Sequence, residues 1–285
     1  AMPVIRGRKT EKEKFNGAEE TYTVECMMHD HKALQSGTSH YFGDGFAKAF
    51  DITFAGKDNQ PHHPHQTSWG VSTRMIGGII MTHGDDNGLV LPPRVAPIQA
   101  IVIPVAQHKA GVLDAAASLR DRLQAAGVRT KMDESDNSPG WKYAEYEMKG
   151  VPLRVEIGPK DMEKEQCVIA RRDTGEKVFV PLAELEETVK KLLDAVHDNM
   201  YAMALKNREE NTFDITSPAE AKAVTSGKGG FLRSKWCGSL ACELAMKEQA
   251  GVSSRCMPLE QSGTEGVCPV CGKKCTTDIY WGVAY

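Results

Sequence analysis

The sequence predicts a multidomain protein of α/β and α+β type, on three observations. Alternating and glycine-punctuated segments in residues 1–97 point to antiparallel strands. From residue 98 to 203, a continuous apolar strand is followed by an amphipathic helix and a second strand, the pattern of an α/β unit. From residue 204 to 285, clustered cysteines mark a small α+β module. A chain of 285 residues has room for this many domains. Its 41% hydrophobic and 26% charged residues are ordinary for a globular protein. A net charge of −3 gives no overall signal for a polyanion, so any such contact must come from a local patch. No apolar run approaches the roughly 18 residues of a membrane span. The opening "AMPVIRGRKTEKEKF" has no signal-peptide pattern. Eight cysteines in that context favour metal or free thiols over disulfides. A soluble, cytoplasmic protein is the expectation. The first residues read as the middle of a domain, which suggests an upstream part.

The first segment opens with a short apolar strand, and "ETYTVECMM" (20–28) begins with the alternation of a half-buried one. "ALQSGTSH" gathers the hydroxyl, amide and imidazole groups of Gln35, Ser36, Thr38, Ser39 and His40 around Gly37. Such a cluster lines a small-molecule site or simply makes a turn, and alone it reads as a turn. His62, His63 and His65 lie in a polar, proline-broken loop that reads as solvated rather than metal-holding. "SWGVSTRMIGGIIMTHG" predicts a buried helix, capped by Ser72 or Thr73 and ended by Gly84. Arg74 in its first turn is out of place, because a cation at a helix N-terminus is disfavoured by up to about 1 kcal/mol. Either it snorkels to water, or an anion binds there and is held by both. "DDNGLVLPPRVAP" (85–97) then gives a turn, a short strand and a proline-rich exit, read as a domain boundary.

In the second segment, "IQAIVIPV" precedes a helix with Val112, Ala116, Leu119 and Leu123 on one face and Gly127 as its stop. "VRTKMD" completes a βαβ unit. "PGWKYAEYEMKG" is a short helix between Pro139 and Gly150. "VPLRVEIG" is a strand, and "QCVIARRDTGEKVFVPL" a hairpin turning at Asp173-Thr174-Gly175. A long helix from about Leu182 buries Leu185, Val189, Leu192, Val196, Met200 and Met203.

In the third segment, "SPAE" (217–220) is a capping box with proline at the first helical position. "GGFLRSKWC" and the terminal "TDIYWGVAY" are strands, and Ser239 caps a helix reaching about Ala250. Cys237 and Cys242 form one close pair, Cys268 and Cys271 another, with about 25 residues between the pairs. Four converging thiolates are what a tetrahedral zinc site requires, and four ligands leave no open position, so the role is structural. Gly238 and Gly272 suit the turns, and Cys275 is a possible substitute ligand. Cys26, Cys167 and Cys256 read as packed strand residues.

Three stretches, "HKALQSGTSHYFGDGFAKAF", "QTSWGVSTRMIGGIIMTHGDDNGLVLPPRVAPIQAIVIPV" and "PGWKYAEYEMKGVPLRVEIGPKDM", resemble prolyl-tRNA synthetase in order and spacing. The two cysteine pairs and C-terminal Tyr285 resemble the zinc domain of that family's archaeal/eukaryotic-like branch. The resemblance implies the last part of a class II antiparallel-sheet catalytic domain (1–97), an anticodon-binding domain with a mixed sheet (98–203) and a zinc-binding domain (204–285). It implies ATP-dependent activation of proline and transfer to tRNA(Pro), with magnesium accompanying ATP and zinc held by Cys237, Cys242, Cys268 and Cys271. By the same resemblance, "STRMIGGIIMTHGDDNGLVLPP" matches motif 3, whose arginine, here Arg74, is the catalytic candidate. Gln35, Thr38, Ser72 and Arg74 are expected on ATP, and His40, Trp69 and Gly70 around proline. Glu147, Arg154 and Lys160, with Lys177 as a weaker candidate, are expected on the anticodon, where proline tRNAs share two guanines. "GRKTEKEKF" is similar to a mobile segment of the family, although its composition alone reads as a solvated loop. No counterpart of motifs 1 and 2 is present, so the chain alone is expected to be inactive, and the full-length enzyme is expected to be a homodimer. The alternative is a non-catalytic tRNA-binding or regulatory relative, against which the retained Gln35, Thr38, His40 and Arg74 count.

Overall fold

A computed structural model describes all 285 residues. Contacts divide the chain into two compact units, Pro3–Met81 with Leu205–Tyr285, and Ala1–Met2 with Thr82–Ala204. The sequence reading expected three segments, and the difference has a physical basis. Strands from the first and last segments form one eight-stranded sheet, in the order Thr212–Asp214, Phe231–Trp236, Thr277–Gly282, Ser253–Pro258, Val4–Arg8, Glu20–Met27, Ala33–Gly43, Gln66–Gly70. The segments join where Gly7 pairs with Pro258 and Arg8 with Met257. Gly7 is required there, because a Cβ would lie 2.5 Å from the Met257 carbonyl oxygen and 2.6 Å from Cys256 Cβ.

"ALQSGTSH" is not a turn. It opens the eleven-residue strand Ala33–Gly43, which pairs with Glu20–Met27 across an irregularity between Val24 and Glu25. The helix Arg74–His83 forms as expected, with the Arg74 N–H donating to Ser72 Oγ at 3.3 Å. The expectation that it is buried fails. Only Gly78 is buried, while Ile76 is 63% and Ile80 40% exposed. Met75, Ile79 and Met81 are only half-buried.

In the same unit, Ser217 caps the helix Pro218–Ser226, accepting from the Glu220 N–H at 3.2 Å. Glu220 reaches back to the Thr216 N–H rather than that of Ser217, one residue beyond the usual box. Ser239 occupies the N-cap position of Leu240–Ala250, but its side chain makes no capping bond. The core of this module packs Leu232, Trp236, Met246, Ile279 and Trp281 around the cysteines.

The second unit is a five-stranded mixed sheet, ordered Lys177–Pro181, Gln166–Arg171, Leu153–Ile157, Ala100–Pro104, Thr130–Met132. Ala100–Pro104 is parallel to both its neighbours, and the remaining pairings are antiparallel. All five residues of Ala100–Pro104 are buried, which explains the unbroken apolar run. Helices Val112–Ala125 and Leu185–Glu210 supply the core, through Val112, Ala116, Leu119 and Leu123 from the first. In the second, Leu193 rather than the expected Leu192 is buried, Leu192 being half-buried, and Met203 is 62% exposed. Residues 85–91 do not form the expected strand. They are nevertheless held to this unit by Leu89 N–H to Met148 O at 3.0 Å and Leu91 N–H to Gly150 O at 3.2 Å. The contact division therefore falls near Met81 instead of residue 97. No helix is long and apolar enough to cross a membrane.

Candidate functional site

The candidate residues form three groups. The first is on the eight-stranded sheet. Strand register sets Thr21 opposite His40, Thr23 opposite Thr38 and Glu25 opposite Gln35. On the other side, Gly70 is opposite Thr38 and Ser68 opposite His40. Side chains directly opposite one another share a sheet face, so Gln35, Thr38 and His40 present one surface together, the irregularity at Val24/Glu25 restoring Gln35 to it. The Thr21 hydroxyl lies 3.0 Å from His40 Nδ1, and the Phe15 ring stands 4.9 Å from the imidazole. Trp69 is opposite Ser39, one residue out of phase, and is 77% exposed. It therefore sits on the face away from His40, while Gly70 borders the His40 face. Ser72 and Arg74 are exposed at the start of the helix.

The second group is the cysteine cluster. Cys237 follows the strand Phe231–Trp236, and Cys242 lies in the first turns of Leu240–Ala250. Cys268 and Cys271 bracket a tight turn in which the Gly272 N–H donates to Cys268 O at 2.9 Å. Gly238 and Gly272 have φ of 82° and 68°, a region where side chains are strained. The four Sγ atoms lie within 4.8 Å of one another. Cys237 and Cys242 are 3.6 Å apart and Cys271 and Cys237 3.8 Å. A tetrahedral zinc site with arms of about 2.3 Å has sulfur–sulfur edges of about 3.8 Å, so the donor set fits a metal of this kind. Burial and the neighbouring thiols push Cys242 up to about 12. Against its own burial, the backbone N–H groups of Cys271 and Val270 bring Cys268 down to about 7. Cys275 lies outside the cluster, on a two-residue strand opposite Gly266.

The third group surrounds a small cavity of about 100 Å³ in the mixed-sheet unit. Glu147, Arg154 and Lys177 line it with Tyr146, Arg171 and Arg172. Lys160 does not; it is exposed on the short helix Pro159–Glu163. Arg154 donates from Nε to Glu156 Oε1 at 2.9 Å and lies 4.0 Å from the centroid of the Tyr143 ring. The Tyr143 hydroxyl donates to Glu156 Oε2 at 2.9 Å, and Lys177 Nζ is 3.4 Å from Glu156 Oε1. Glu156 is only 8% exposed, so a buried carboxylate anchors both cations. Burial, then the Glu156 charge, raises the Tyr143 phenol well above its ordinary value, keeping it a donor. Burial and Asp133 push Tyr146 up to about 12. Arg172 makes a two-pronged bond to Asp85, at 2.6 and 2.7 Å, and donates to Glu147 O at 2.9 Å.

Sequence reasoning missed Tyr143, Glu156, Arg171 and Arg172 here. The pattern "LRVEI" held a usable signal, since Arg154 and Glu156, two apart on a strand, must share a face. The four cations around the cavity all have carboxylate partners: Arg154 and Lys177 share Glu156, Arg171 pairs with Asp173, and Arg172 pairs with Asp85.

Residues 99–192 match the family model described as an anticodon binding domain, and residues 218–285 the model described as prolyl-tRNA synthetase, C-terminal. The whole chain is 56% identical to proline–tRNA ligase of Clostridium novyi (strain NT), covering 59% of that protein. It is 54% identical to proline–tRNA ligase 2 of Bacillus thuringiensis (strain Al Hakam), covering 60% of it, again over its full length. The chain belongs to the prolyl-tRNA synthetase family. It corresponds to the C-terminal region of these synthetases, including the anticodon-binding and C-terminal domains. It spans about three-fifths of the length of the curated relatives it matches. The cavity beside Arg154 lies within the anticodon-binding match and the cysteine cluster within the C-terminal one.

Proposed function

We propose that this chain is the C-terminal part of a ligase that activates proline with ATP and transfers it to tRNA(Pro). Similarity along the whole of this chain to about three-fifths of proline–tRNA ligases is the observation that carries this reading. Class II chemistry of this kind needs no covalent enzyme intermediate, so the protein's task is positioning and charge stabilisation. Arg74 holds the phosphates of ATP at the helix start, with Ser72, Thr38 and Gln35 on the nucleotide side. Magnesium accompanying ATP shares the phosphate charge. His40, shielded by Phe15 and bordered by Gly70, orients proline. The exposure of Trp69 on the opposite face argues for dropping it from the proline pocket.

Residues 98–203 read the two shared guanines of the proline anticodon. Arg154 offers a planar fork to the acceptor edge of guanine, and Glu147 accepts from its donors. Tyr143 and Glu156 hold that fork in place. Lys160, away from the cavity, is left a backbone contact at most. Zinc on the four cysteines stiffens the C-terminal module.

Proline-dependent exchange of pyrophosphate into ATP tests the activation half. The complete enzyme should show it and the 285-residue chain alone should not. Arg74→Ala in the complete enzyme should lower the rate by about 100-fold or more, as loss of a charge-stabilising donor does. An unchanged rate would remove Arg74 from the active site.

A further inference from the structure

Glu243 follows Cys242 directly and is 3% exposed. Its Oε1 accepts from the hydroxyl of Thr10 at 2.8 Å and from that of Ser254 at 2.5 Å. Neither partner is a cation, although a buried carboxylate is costly to desolvate. The bond to Thr10 reaches across 233 positions in sequence.

Thr10, 1% exposed, organises the residues that follow it. Its carbonyl accepts from the Glu13 N–H at 3.1 Å and the Lys14 N–H at 2.9 Å, closing a turn that delivers Phe15. The Phe15 N–H donates to Thr21 Oγ1 at 3.0 Å, the same hydroxyl that lies 3.0 Å from His40 Nδ1. Beside Thr10, Lys9 and Arg255 both bind the fully buried Glu25, at 2.9 and 2.7 Å, so the base of the turn is clamped to the C-terminal module. The segment that composition suggested to be solvated therefore has a buried root and an exposed tip.

We propose that Glu243 and Thr10 are positioning residues that couple the four-cysteine metal site to His40, through the turn at residues 10–15. A metal on Cys242 fixes the start of the helix Leu240–Ala250 and with it the Glu243 carboxylate. Glu243 fixes the Thr10 hydroxyl, and the turn then sets Phe15 and Thr21 against the imidazole. The consequence for proline rests on the reading of His40 given above; the coupling itself does not.

Coupling between two sites is reciprocal, which gives a test away from the cysteines. Zinc affinity is measured by chelator competition for the wild type, Thr10→Val and Thr10→Ser. His40 imidazole resonances and amide exchange of Glu13 and Lys14 are followed by NMR on the same zinc-loaded proteins. Thr10→Val should weaken zinc binding by about 5- to 10-fold, at the low end of typical couplings. It should also shift the His40 signals and speed exchange at Glu13 and Lys14. Thr10→Ser, which keeps the hydroxyl, should restore all three. Glu243→Gln should shift the His40 signals as Thr10→Val does, and the double variant should do no more than either alone. Unchanged zinc affinity in Thr10→Val, or His40 shifts that add in the double variant, would overturn the proposal. Loss of the folded spectrum in Thr10→Val but not Thr10→Ser would also overturn it, making Thr10 a packing residue. A proline KM unchanged in Thr10→Val of the complete enzyme, with the NMR coupling intact, would count against the His40 reading alone.

Discussion

Arg154 stacks 4.0 Å from the centroid of the Tyr143 ring while its Nε donates to Glu156. The two contacts use the face of the guanidinium and one of its edge nitrogens, leaving its remaining N–H groups for a ligand. An arginine preordered in this way loses less freedom on binding than a free one. Arg154→Ala should weaken binding of tRNA(Pro) by about 1–3 kcal/mol and reduce discrimination at one anticodon position. Arg154→Lys should not rescue it, because a lysine supplies neither the planar stack nor the fork. Equilibrium binding at fixed moderate salt checks both.

The cysteine cluster predicts one bound metal per chain, measurable by elemental analysis. Cys271→Ser should lower metal affinity by more than about 100-fold, since even partners outside the ligand shell cost about 10–100-fold. Cys275→Ser should leave it unchanged, because Cys275 lies outside the cluster. A loss on changing Cys275 would redraw the ligand set.

Asp85 and Arg172 predict a pH dependence. The hydrogen bonds from Arg172 hold the Asp85 carboxyl below its ordinary value. The folded pKa is then lower than the unfolded value of about 3.9. The pair's contribution is complete above that value and is lost as pH falls through the folded pKa. The Asp85 side chain is 45% exposed, so screening limits the contribution to about 1 kcal/mol. Asp85→Asn should cost that much at pH 7, by denaturant midpoint. The gap to the wild type should narrow below about pH 4.

Gly7 predicts where the eight-stranded sheet is weakest to change. Gly7→Ala forces a Cβ onto the Met257 carbonyl and the Cys256 side chain, and backbone cannot move aside cheaply. A loss of about 1–3 kcal/mol is expected, the scale of overpacking. Gly77→Ala, with open space at its Cβ, should be neutral or stabilising by up to about 1 kcal/mol. Chemical denaturation of both variants makes the comparison.

Much of this was legible in the sequence, for identifiable reasons. Local signals carried the elements whose burial is local: Ala100–Pro104, the face of Val112–Ala125, the hairpin at Gly175 and the glycine-flanked cysteine turns. What escaped depends on distant partners. "QSGTSH" is a strand because neighbouring strands on both sides supply its hydrogen bonds, which overrides the turn chemistry of Ser36 and Gly37. Burial of the helix Arg74–His83 was inferred from its apolarity, but apolarity does not supply a cover. Lys9 and Thr10 fell in a stretch that read as solvated because their partners lie some 16 to 244 positions away. At the anticodon candidate, single charges were visible, whereas the buried Glu156 that organises them was not. Register adds what a motif lacks at Trp69, since one residue of phase moves a side chain to the other face.

The central claim is that the mixed-sheet unit reads the anticodon of tRNA(Pro) through the Arg154 cavity. The most direct measurement compares binding of tRNA(Pro) with that of the same tRNA carrying both shared anticodon guanines changed, at fixed moderate salt, because phosphate contacts alone hold any tRNA at low salt. The account predicts a loss of about 1–3 kcal/mol per altered base, absent in Arg154→Ala at the position it reads. Equal binding of the two tRNAs would contradict it, leaving a sequence-independent electrostatic contact in place of readout.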